Sequence, residues 1–530
     1  MSGSPSAYAA ALVARGRATP ERLAFASGGE SLQYGELLAE ASALARGLQR
    51  AGVAPGDRIA LLLPAGLPFV RGFSAAMLAG AVPFAIHPDV APLTALARVA
   101  RGKASLALAT EDQVASWGGA LGAAAGTPIA ALERLAEPSL LPIEPPSVDP
   151  EDPFYLQMTS GTTGEPRFVI VSHRAFAAWR QQSAGILDAG SDDVLVGWVP
   201  PWHVTGLLRF VVLPVVGGTP AHLVPPQVRS LGRWIEEIEM RRATFTSAPD
   251  FALRSAVRAV GGRTCDLSSL RLVVSGGESI RGSTISEFES RFGLPGIVRP
   301  GYGLAESTFS VTVVRPGEEL VVDGRGNVSC GRPLPGVELA IVGPDGDELP
   351  PEQEGEIWVR SAALFSGYFG ADGDENALTP DGWLATGDWG RTDARGELFV
   401  RGRRRVLIKH GGATYAPREL EEAAESVPGV VGSAAVALAR CELPEAHGIV
   451  LVVESALEAP DLAAGVAEQV ARAVRSQVGL FPKEVLVVRE RTLPRTASGK
   501  IRHVEVRRSI ACAELPGPSV LHGLADGWVE

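Results

Sequence analysis

Apolar residues near the start of the chain follow two different periods. Around residues 37–48 they recur every three or four positions, which predicts a helix with one buried face, formed by Leu37, Leu38, Ala41, Leu44 and Leu48. The continuous apolar run at residues 58–64 (RIALLLP) predicts a buried strand, and residues 81–86 predict another after a helical piece at 75–79. Strands that alternate with helices are typical of parallel sheets covered by helices, so the pattern predicts the α/β class.

The middle of the chain contains a proline-rich stretch and then returns to strand patterns. Residues 137–153 carry prolines at six positions, so we interpret them as an irregular connector between subdomains. Apolar runs then predict strands at residues 154–158, 193–199, 243–247 and 270–274. From about residue 331, predicted strands at 355–359 and 397–400 are joined by Gly- and Asp-rich turns, which indicates a β-rich subdomain.

A short basic run, RGRRR at residues 401–405, precedes a second series of elements. We interpret this run as a solvated loop or hinge. Beyond it, residues 418–426 and 462–478 have helical patterns, and residues 433–438, 449–454 and 484–488 have strand patterns. We therefore predict an N-terminal domain at residues 1–401, a hinge at 402–406 and a C-terminal domain at 407–530.

Length and charge narrow the possible functions. A chain of 530 residues exceeds what one hydrophobic core normally supports, so two or more domains are expected. The formal net charge of −11 argues against nucleic acid as the main partner, because phosphate backbones require clustered Lys and Arg.

The cysteines and the apolar runs bear on the compartment. Four cysteines, at positions 265, 330, 441 and 512, have no paired spacing, which fits a reducing compartment and no metal site of the CxxC type. Residues 1–16 lack a signal-peptide pattern, and no apolar run reaches the ~20 residues of a membrane span. We expect a cytoplasmic protein.

The strongest chemical signal is a loop rich in hydroxyl groups and glycine that follows a predicted strand. It reads Thr159-Ser160-Gly161-Thr162-Thr163-Gly164-Glu165-Pro166-Arg167. Glycine permits close backbone approach, and amide N–H groups and hydroxyls can surround phosphate oxygens. A polar surface turn is the alternative interpretation. The loop is not a Walker loop, because the Gly-Lys-Ser/Thr ending is absent.

TSGTTGEP resembles the phosphate-loop motif of adenylate-forming enzymes, namely acyl-CoA synthetases, fatty acyl-AMP ligases and peptide-synthetase adenylation domains. Four further motifs of that family follow in family order, so the resemblance covers nearly the whole chain. It implies an α/β fold in which a large N-terminal domain has two sheet-based lobes and a β-rich subdomain. A small mobile α+β C-terminal domain would follow. It also implies ATP and Mg²⁺ as cofactors and a carboxylic acid as substrate.

The resemblance assigns nucleotide-binding roles by position. In GYGLAE, Tyr302 and Gly303 would contact adenine and Glu306 would hold Mg²⁺, while Gly276, Gly277 and Glu278 would line the adenine. The backbone and hydroxyls of the phosphate loop would bind phosphate through Thr159, Ser160, Gly161, Thr162, Thr163 and Gly164. Asp388 would accept the ribose hydroxyls, a role that suits a bidentate acceptor, and Arg403 would reach ribose or phosphate.

Three residues are the expected catalytic set. By resemblance, Lys500 in the PRTASGKIR motif neutralises charge as the carboxylate attacks the α-phosphate. His203, in PPWH, would gate the substrate channel or orient the carboxylate, although a histidine in such surroundings is often only packed. Arg167 stands where the family usually has Lys, which keeps the charge but changes its geometry.

Departures from the family pattern leave alternatives open. Phe168 replaces the usual Gly after the phosphate loop, and Val406 replaces the usual hinge residue. Ala305 and the segment VSCGRPLPG at residues 328–336 favour a fatty acyl-AMP ligase that transfers its product to an acyl carrier protein. The loop at residues 409–417 reads more like that of a synthetase using free CoA. A degenerate nucleotide-binding scaffold is an alternative of another class, which the presence of Lys500 argues against.

Overall fold

A computed structural model describes the chain over most of its length. The described residues are 4–117, 126–136, 143–160, 166–187, 189–324, 326–370, 378–410, 413–440, 443–456, 460–495, 501–512, 514, 520–522 and 528–529.

Helices and strands alternate through the described residues. The α-helices are α1 Ala7–Ala18, α2 Tyr34–Arg50, α3 Leu67–Leu78, α4 Pro92–Arg101, α5 Glu111–Trp117, α6 Leu132–Leu135, α7 His173–Ser183, α8 Val204–Leu207, α9 Leu213–Gly217, α10 Leu231–Arg241, α11 Asp250–Val260, α12 Gly282–Phe292, α13 Pro417–Glu425, α14 Pro460–Val478 and α15 His503–Ala511. A π-helical turn, Leu208–Val212, separates α8 from α9, and short 3₁₀ turns form at Val228–Ser230, Ala305–Ser307 and Arg404–Val406.

The strands are β1 Ser4–Pro5, β2 Leu23–Ser27, β3 Glu30–Gln33, β4 Arg58–Leu61, β5 Val82–Ala85, β6 Leu106–Ala109, β7 Ile129–Ala131, β8 Ser147–Val148, β9 Pro153–Ser160, β10 Pro166–Ser172, β11 Leu195–Gly197, β12 Ala221–Leu223, β13 Phe245–Ser247, β14 Leu272–Ser275, β15 Val298–Gly303, β16 Ser310–Val313, β17 Arg332–Pro333, β18 Glu338–Val342, β19 Gly355–Arg360, β20 Leu384–Thr392, β21 Leu398–Arg403, β22 Ile408–His410, β23 Ala413–Tyr415, β24 Val430–Arg440, β25 Leu443–Ser455, β26 Glu484–Arg489, β27 Val520–His522 and β28 Trp528–Val529.

Two mixed sheets form the larger part of the chain. One has the strand order β10-β9-β5-β4-β6-β7, and the other has the order β17-β16-β15-β14-β13-β11-β12-β2-β3. Their central strands are parallel, for example β4 with β5 and β13 with β14. The carboxyl ends of parallel strands meet at one edge of a sheet, where α/β proteins usually bind ligands.

The predicted buried strand shows how the cores form. Ile59 and Leu61 of β4 enter the core that both sheets share with helices α2 and α3, whereas Ala60 and Leu62 face the opposite side of the sheet. Side chains alternate between the faces of a strand, so a strand that is covered on both faces reads as a continuous apolar run. On the far side of the second sheet, α10, α11 and α12 pack through residues such as Trp234, Leu253 and Phe288.

The chain forms two compact units. The larger comprises Met1–Thr386 and Arg391–Val400, and the smaller comprises Gly387–Gly390 and Arg401–Glu530. The region after residue 336 forms a sheet with the order β18-β19-β20-β21. In the smaller unit, helices α13 and α14 cover one face of a sheet with the order β27-β26-β25-β24-β28, and α15 covers the other.

The fold class expected from the sequence is confirmed: this is an α/β chain with a large N-terminal part and a smaller C-terminal part. The hinge at 402–406, the exact domain limits and the mobility of the small domain remain predictions. The proline-rich stretch is not wholly irregular, because Ser147–Val148 pairs with Ser4–Pro5. None of the helices in the described residues combines the length and apolar character that a membrane span requires.

A partly buried ion pair connects three elements of the smaller unit. His503 Nε2, at the start of α15, lies 2.6 Å from Glu421 Oε1 in α13. The same oxygen accepts a hydrogen bond from Ala435 N in β24 at 3.0 Å. Burial alone lowers the pKa of His503, but the Glu421 carboxylate outweighs it, so the net pKa lies above the ordinary value of 6.5.

The raised pKa of His503 predicts a pH-dependent stability. Protonated His503 stabilises the fold fully below the histidine pKa of the unfolded chain, and this contribution disappears as pH rises through the higher folded pKa. We expect His503→Gln to remove ~1–3 kcal/mol of unfolding free energy at about pH 6 and less at about pH 9. Denaturant unfolding of the full chain at several pH values measures this difference. His410→Gln is the control, because His410 is exposed. The prediction would be contradicted if the unfolding free energies of wild type and His503→Gln changed in parallel with pH.

Candidate active site

The predicted phosphate loop begins and ends on paired strands. In the antiparallel register of β9 and β10, Thr159 lies opposite Arg167 and Ser160 opposite Pro166. Strands β9 and β10 are therefore antiparallel neighbours, and β10 lies at the edge of the first sheet. The predicted phosphate ligands Gly161, Thr162, Thr163 and Gly164 lie outside the described residues, as does the side chain of Ser160. Their role stays a prediction.

Glu306 lies in a tight turn that follows β15. A Cβ on Gly303 would lie 1.9 Å from Phe309 O, so only glycine fits at this close contact between two backbone segments. Thr308 has a φ of +65°, which is unusual for a β-branched residue. Its hydroxyl donates to Ala363 O at 2.6 Å and so helps to hold this conformation. These constraints fix the backbone that carries Glu306.

Tyr368 contacts both Glu306 and Arg167. Its hydroxyl donates to Glu306 Oε1 at 2.9 Å, and Arg167 Cζ lies 5.1 Å from the centre of its ring. Burial raises the pKa of Tyr368 and the Glu306 carboxylate raises it further, while Arg167 opposes the shift. The hydroxyl therefore stays protonated at neutral pH. Sequence reasoning missed Tyr368, which is 62 positions from Glu306 and belongs to no motif that we recognised.

The residues present fit a magnesium ion that arrives with ATP. Within the described residues, no group of three or more His, Cys, Asp or Glu side chains could hold a metal on its own. Glu306 offers a hard oxygen ligand, and Mg²⁺ is commonly bound by one or two carboxylates together with substrate phosphates. Glu306 is the residue that would hold it, as the sequence predicts.

The predicted adenine-lining segment leaves the carboxyl end of β14. A Cβ on Gly276 would lie 2.8 Å from Gly301 O, so this glycine allows the backbones after β14 and within β15 to approach closely. Tyr302 is buried in β15, beside this approach. The Glu278 carboxylate accepts a hydrogen bond from Phe251 N at 3.0 Å, in the first turn of α11. It therefore satisfies one of the N–H groups that a helix leaves unbonded at its start. The nucleotide-binding roles of these residues and of Gly277 stay predictions.

His203 precedes α8 and caps it. Its Nδ1 accepts a hydrogen bond from Thr205 N at 3.3 Å, so the neutral ring carries its proton on Nε2. The preceding residue, Trp202, packs its ring against His87 at 4.4 Å, and its carbonyl accepts from Gln157 in β9 at 3.0 Å. The PPWH segment is thus tied to the strand that leads into the phosphate loop.

A narrow apolar cleft adjoins the same segment. Residues on both sides of His203, Pro201 and Gly206, contribute to its wall. Most of the other side chains are apolar, and they include Phe69, Val199, Phe210, Val211, Leu223 and Val224. Sequence reasoning named only His203 in this region. Residues such as Phe69 and Leu223 come from distant elements, which a linear motif does not reveal.

In the smaller unit, two predicted nucleotide-binding residues contact each other. Arg403 Nε lies 3.0 Å from Asp388 Oδ1, and the Asp388 side chain is largely buried. One carboxylate oxygen is therefore engaged by Arg403. Lys500 lies outside the described residues, and its catalytic role stays a prediction.

Comparisons with known proteins agree with these features. The family model described as AMP-binding enzyme matches residues 12–369. The long-chain-fatty-acid–AMP ligase FadD26 of Mycobacterium marinum is 30% identical over 552 residues, covering 92% of this chain and 91% of that protein. An indoleacetate–CoA ligase of Aromatoleum aromaticum is 32% identical over 369 residues, or 69% of each chain.

A solved structure is also similar over almost the full length. It comes from work described as structural and functional studies of fatty acyl-adenylate ligases from E. coli and L. pneumophila. It matches with a TM-score of 0.84 and 25% identity, over 96% of this chain and 98% of that one. The chain therefore belongs to the family of AMP-binding enzymes, and it is an adenylate-forming ligase.

Proposed function

We propose that this enzyme is a fatty acyl-AMP ligase that passes its acyl group to the phosphopantetheine thiol of an acyl carrier protein. The observation that carries the adenylation step is the contact of both Arg167 and Glu306 with Tyr368, beside the strand that follows the predicted phosphate loop. It puts one positive and one negative side chain at the edge where the family binds ATP. Activation of a carboxylic acid with ATP is the reaction of the family to which the chain belongs.

The reaction brings two anions together. A carboxylate oxygen of the acid attacks the α-phosphorus, the bond from the α-phosphorus to the bridging oxygen breaks, and pyrophosphate leaves. Mg²⁺ bound with ATP supplies positive charge to the phosphates. The role proposed for Arg167 is to hold phosphate oxygens beside the predicted phosphate loop. Lys500 would neutralise charge that develops at the α-phosphate, because fixed cations are most effective where charge appears in the transition state.

The cleft beside His203 supports an aliphatic acid as substrate. Its wall is formed mainly by branched and aromatic side chains, and apolar surface of this kind favours an alkyl chain over a charged one. His203 lies between two wall residues in the sequence, so the proposed position of the carboxylate is near its ring. The cleft has a cavity volume of about 10 Å³, so its walls would have to move apart to admit the alkyl chain.

The choice of a carrier protein as acceptor rests on similarity. Ala305 and the segment at residues 328–336 resemble fatty acyl-AMP ligases, and the long-chain-fatty-acid–AMP ligase aligns over 92% of this chain. A putative acyl-CoA synthetase of Caulobacter vibrioides aligns over 89% of this chain, so the aligned length alone does not separate the two acceptors. Transfer to free CoA is the second candidate. The 32% identity to the indoleacetate–CoA ligase favours it, as does the resemblance of the loop at residues 409–417.

Lys500 provides the first test of the adenylation step. Exchange of labelled pyrophosphate into ATP should depend on an added carboxylic acid, with aliphatic acids ahead of aromatic and amino acids. Lys500→Ala should slow this exchange roughly a hundred- to thousand-fold, because a fixed charge at the α-phosphate contributes ~3–4 kcal/mol. Lys483→Ala is the matched control, since Lys483 is exposed in the same unit.

The outcomes separate the enzyme from a scaffold. Acid-dependent exchange in wild type and in Lys483→Ala, together with its loss in Lys500→Ala, supports adenylation. If wild type and Lys500→Ala behaved alike in every ATP-dependent assay, the proposed role of Lys500 would be wrong. That result would favour the interpretation of the chain as a degenerate nucleotide-binding scaffold.

A second experiment identifies the thiol acceptor. Wild-type enzyme, ATP and the preferred acid are incubated with CoA or with a panel of acyl carrier proteins that bear phosphopantetheine. We expect the thioester to form on a carrier at least roughly tenfold faster than on CoA at equal concentration. A tenfold ratio of these rates corresponds to ~1.4 kcal/mol. Carriers without phosphopantetheine are the control. Faster formation of acyl-CoA would reject the carrier and establish the second candidate.

A further inference from the structure

The segment at residues 363–369, which we call the bridging segment, bonds to two parts of the site at once. Along β10, Ser366 N donates to Ile170 O, Ile170 N donates to Gly367 O, and Phe369 N donates to Phe168 O, at 2.9, 3.0 and 2.8 Å. At its other end, Phe365 N donates to Glu306 O at 2.8 Å. The bridging segment therefore fixes the strand that follows the phosphate loop relative to the turn that carries Glu306.

Tyr368 is the side chain of this segment that reaches Glu306. Phe365 packs against its ring with centroids 5.0 Å apart at 68°, and Arg167 lies over the ring. The ring is thus restricted by neighbours on the bridging segment and on β10. Its hydroxyl is directed at Glu306 Oε1, which leaves Oε2 as the second carboxylate oxygen.

The chemical type of the donor matters. A cationic donor would cancel the charge of a carboxylate, whereas a neutral hydroxyl orients the carboxylate and leaves its negative charge for a cation. We infer that Tyr368 is a positioning residue for magnesium-bound ATP, which holds Glu306 so that one carboxylate oxygen is presented to the metal. This inference rests on the proposed function, in which Glu306 is the magnesium ligand.

Tyr368→Phe tests the inference because it keeps the ring under Arg167 and removes the hydroxyl, which bonds to Glu306 and also interacts with Arg167. The comparison with and without Mg²⁺ separates the two contacts, since only the Glu306 contact bears on the metal. Calorimetric titration of the full chain with ATP, in Mg²⁺ or in EDTA, measures the two affinities separately. We expect Tyr368→Phe to weaken binding of magnesium-bound ATP by roughly 3- to 10-fold, the usual effect of one hydrogen bond. Binding of metal-free ATP should change by less than about twofold.

The matched control is Tyr155→Phe. Tyr155 is fully buried in β9 and its hydroxyl has no hydrogen-bond partner among the described residues, so this variant also loses a buried hydroxyl near the site. It should leave both affinities unchanged. In the Glu306→Gln background, Tyr368→Phe should cause no further loss for magnesium-bound ATP, because the two residues act as a unit.

Two results would overturn the inference. One is an unchanged affinity of Tyr368→Phe for magnesium-bound ATP. The other is an equal loss with and without Mg²⁺, which would indicate a general structural role. Binding does not require turnover, so absence of acid-dependent exchange in wild type would reject the proposed function without affecting this test. Comparison of the melting temperatures of Tyr368→Phe and Tyr155→Phe verifies that both variants are folded.

Discussion

Backbone hydrogen bonding on both edges of β10 is the constraint on which the rest of the adenylation site depends. One edge pairs with β9, so Arg167 is held opposite Thr159, and the other edge pairs with residues 366–369. A strand that is bonded on both sides cannot shift by one residue without turning every side chain to the other face. The register therefore holds Arg167 next to the predicted phosphate loop and on the side of the strand that faces Tyr368.

Steric contacts constrain the turn after β15, whereas hydrogen bonds constrain β10. Gly303 permits a close approach to Phe309 O that a Cβ would block, and Thr308 holds a γ-turn conformation with positive φ that costs of order 1–3 kcal/mol. Such strain persists only when the surroundings compensate for it, and the bond from Thr308 to Ala363 O does so here. The same segment that pairs with β10 thus stabilises the strained turn. The positions of Arg167 and Glu306 are coupled through one short stretch of backbone.

Local patterns predicted individual helices and strands, but they did not predict which strands pair or which side chains meet. The run at 58–64 indicated a strand because β4 is covered on both faces, and the apolar spacing at 37–48 identified α2. No local pattern could show that β2, near the N-terminus, pairs in parallel with β12. Motif recognition placed Glu306 but missed Tyr368, since that hydrogen bond depends on the packing of residues far apart in the sequence. Similarly, the contact of Glu278 with α11 follows from tertiary packing, so the motif alone could not separate a helix cap from a nucleotide ligand.

The basic run at 401–405 shows why charge patterns need a structure. The sequence favoured a solvated loop or hinge, yet Arg401 is 6% exposed and forms a two-pronged ion pair with Glu419 at 2.7 and 3.0 Å. Glu419 also accepts from Ala416 N at 2.9 Å and so caps the start of α13. Arg403 contacts Asp388 instead. Between these two anchored arginines lies Gly402, whose φ of +130° is accessible mainly to glycine. A side chain at position 402 would therefore strain the backbone between two arginines whose positions are fixed by carboxylates, which is why this position of the basic run requires glycine.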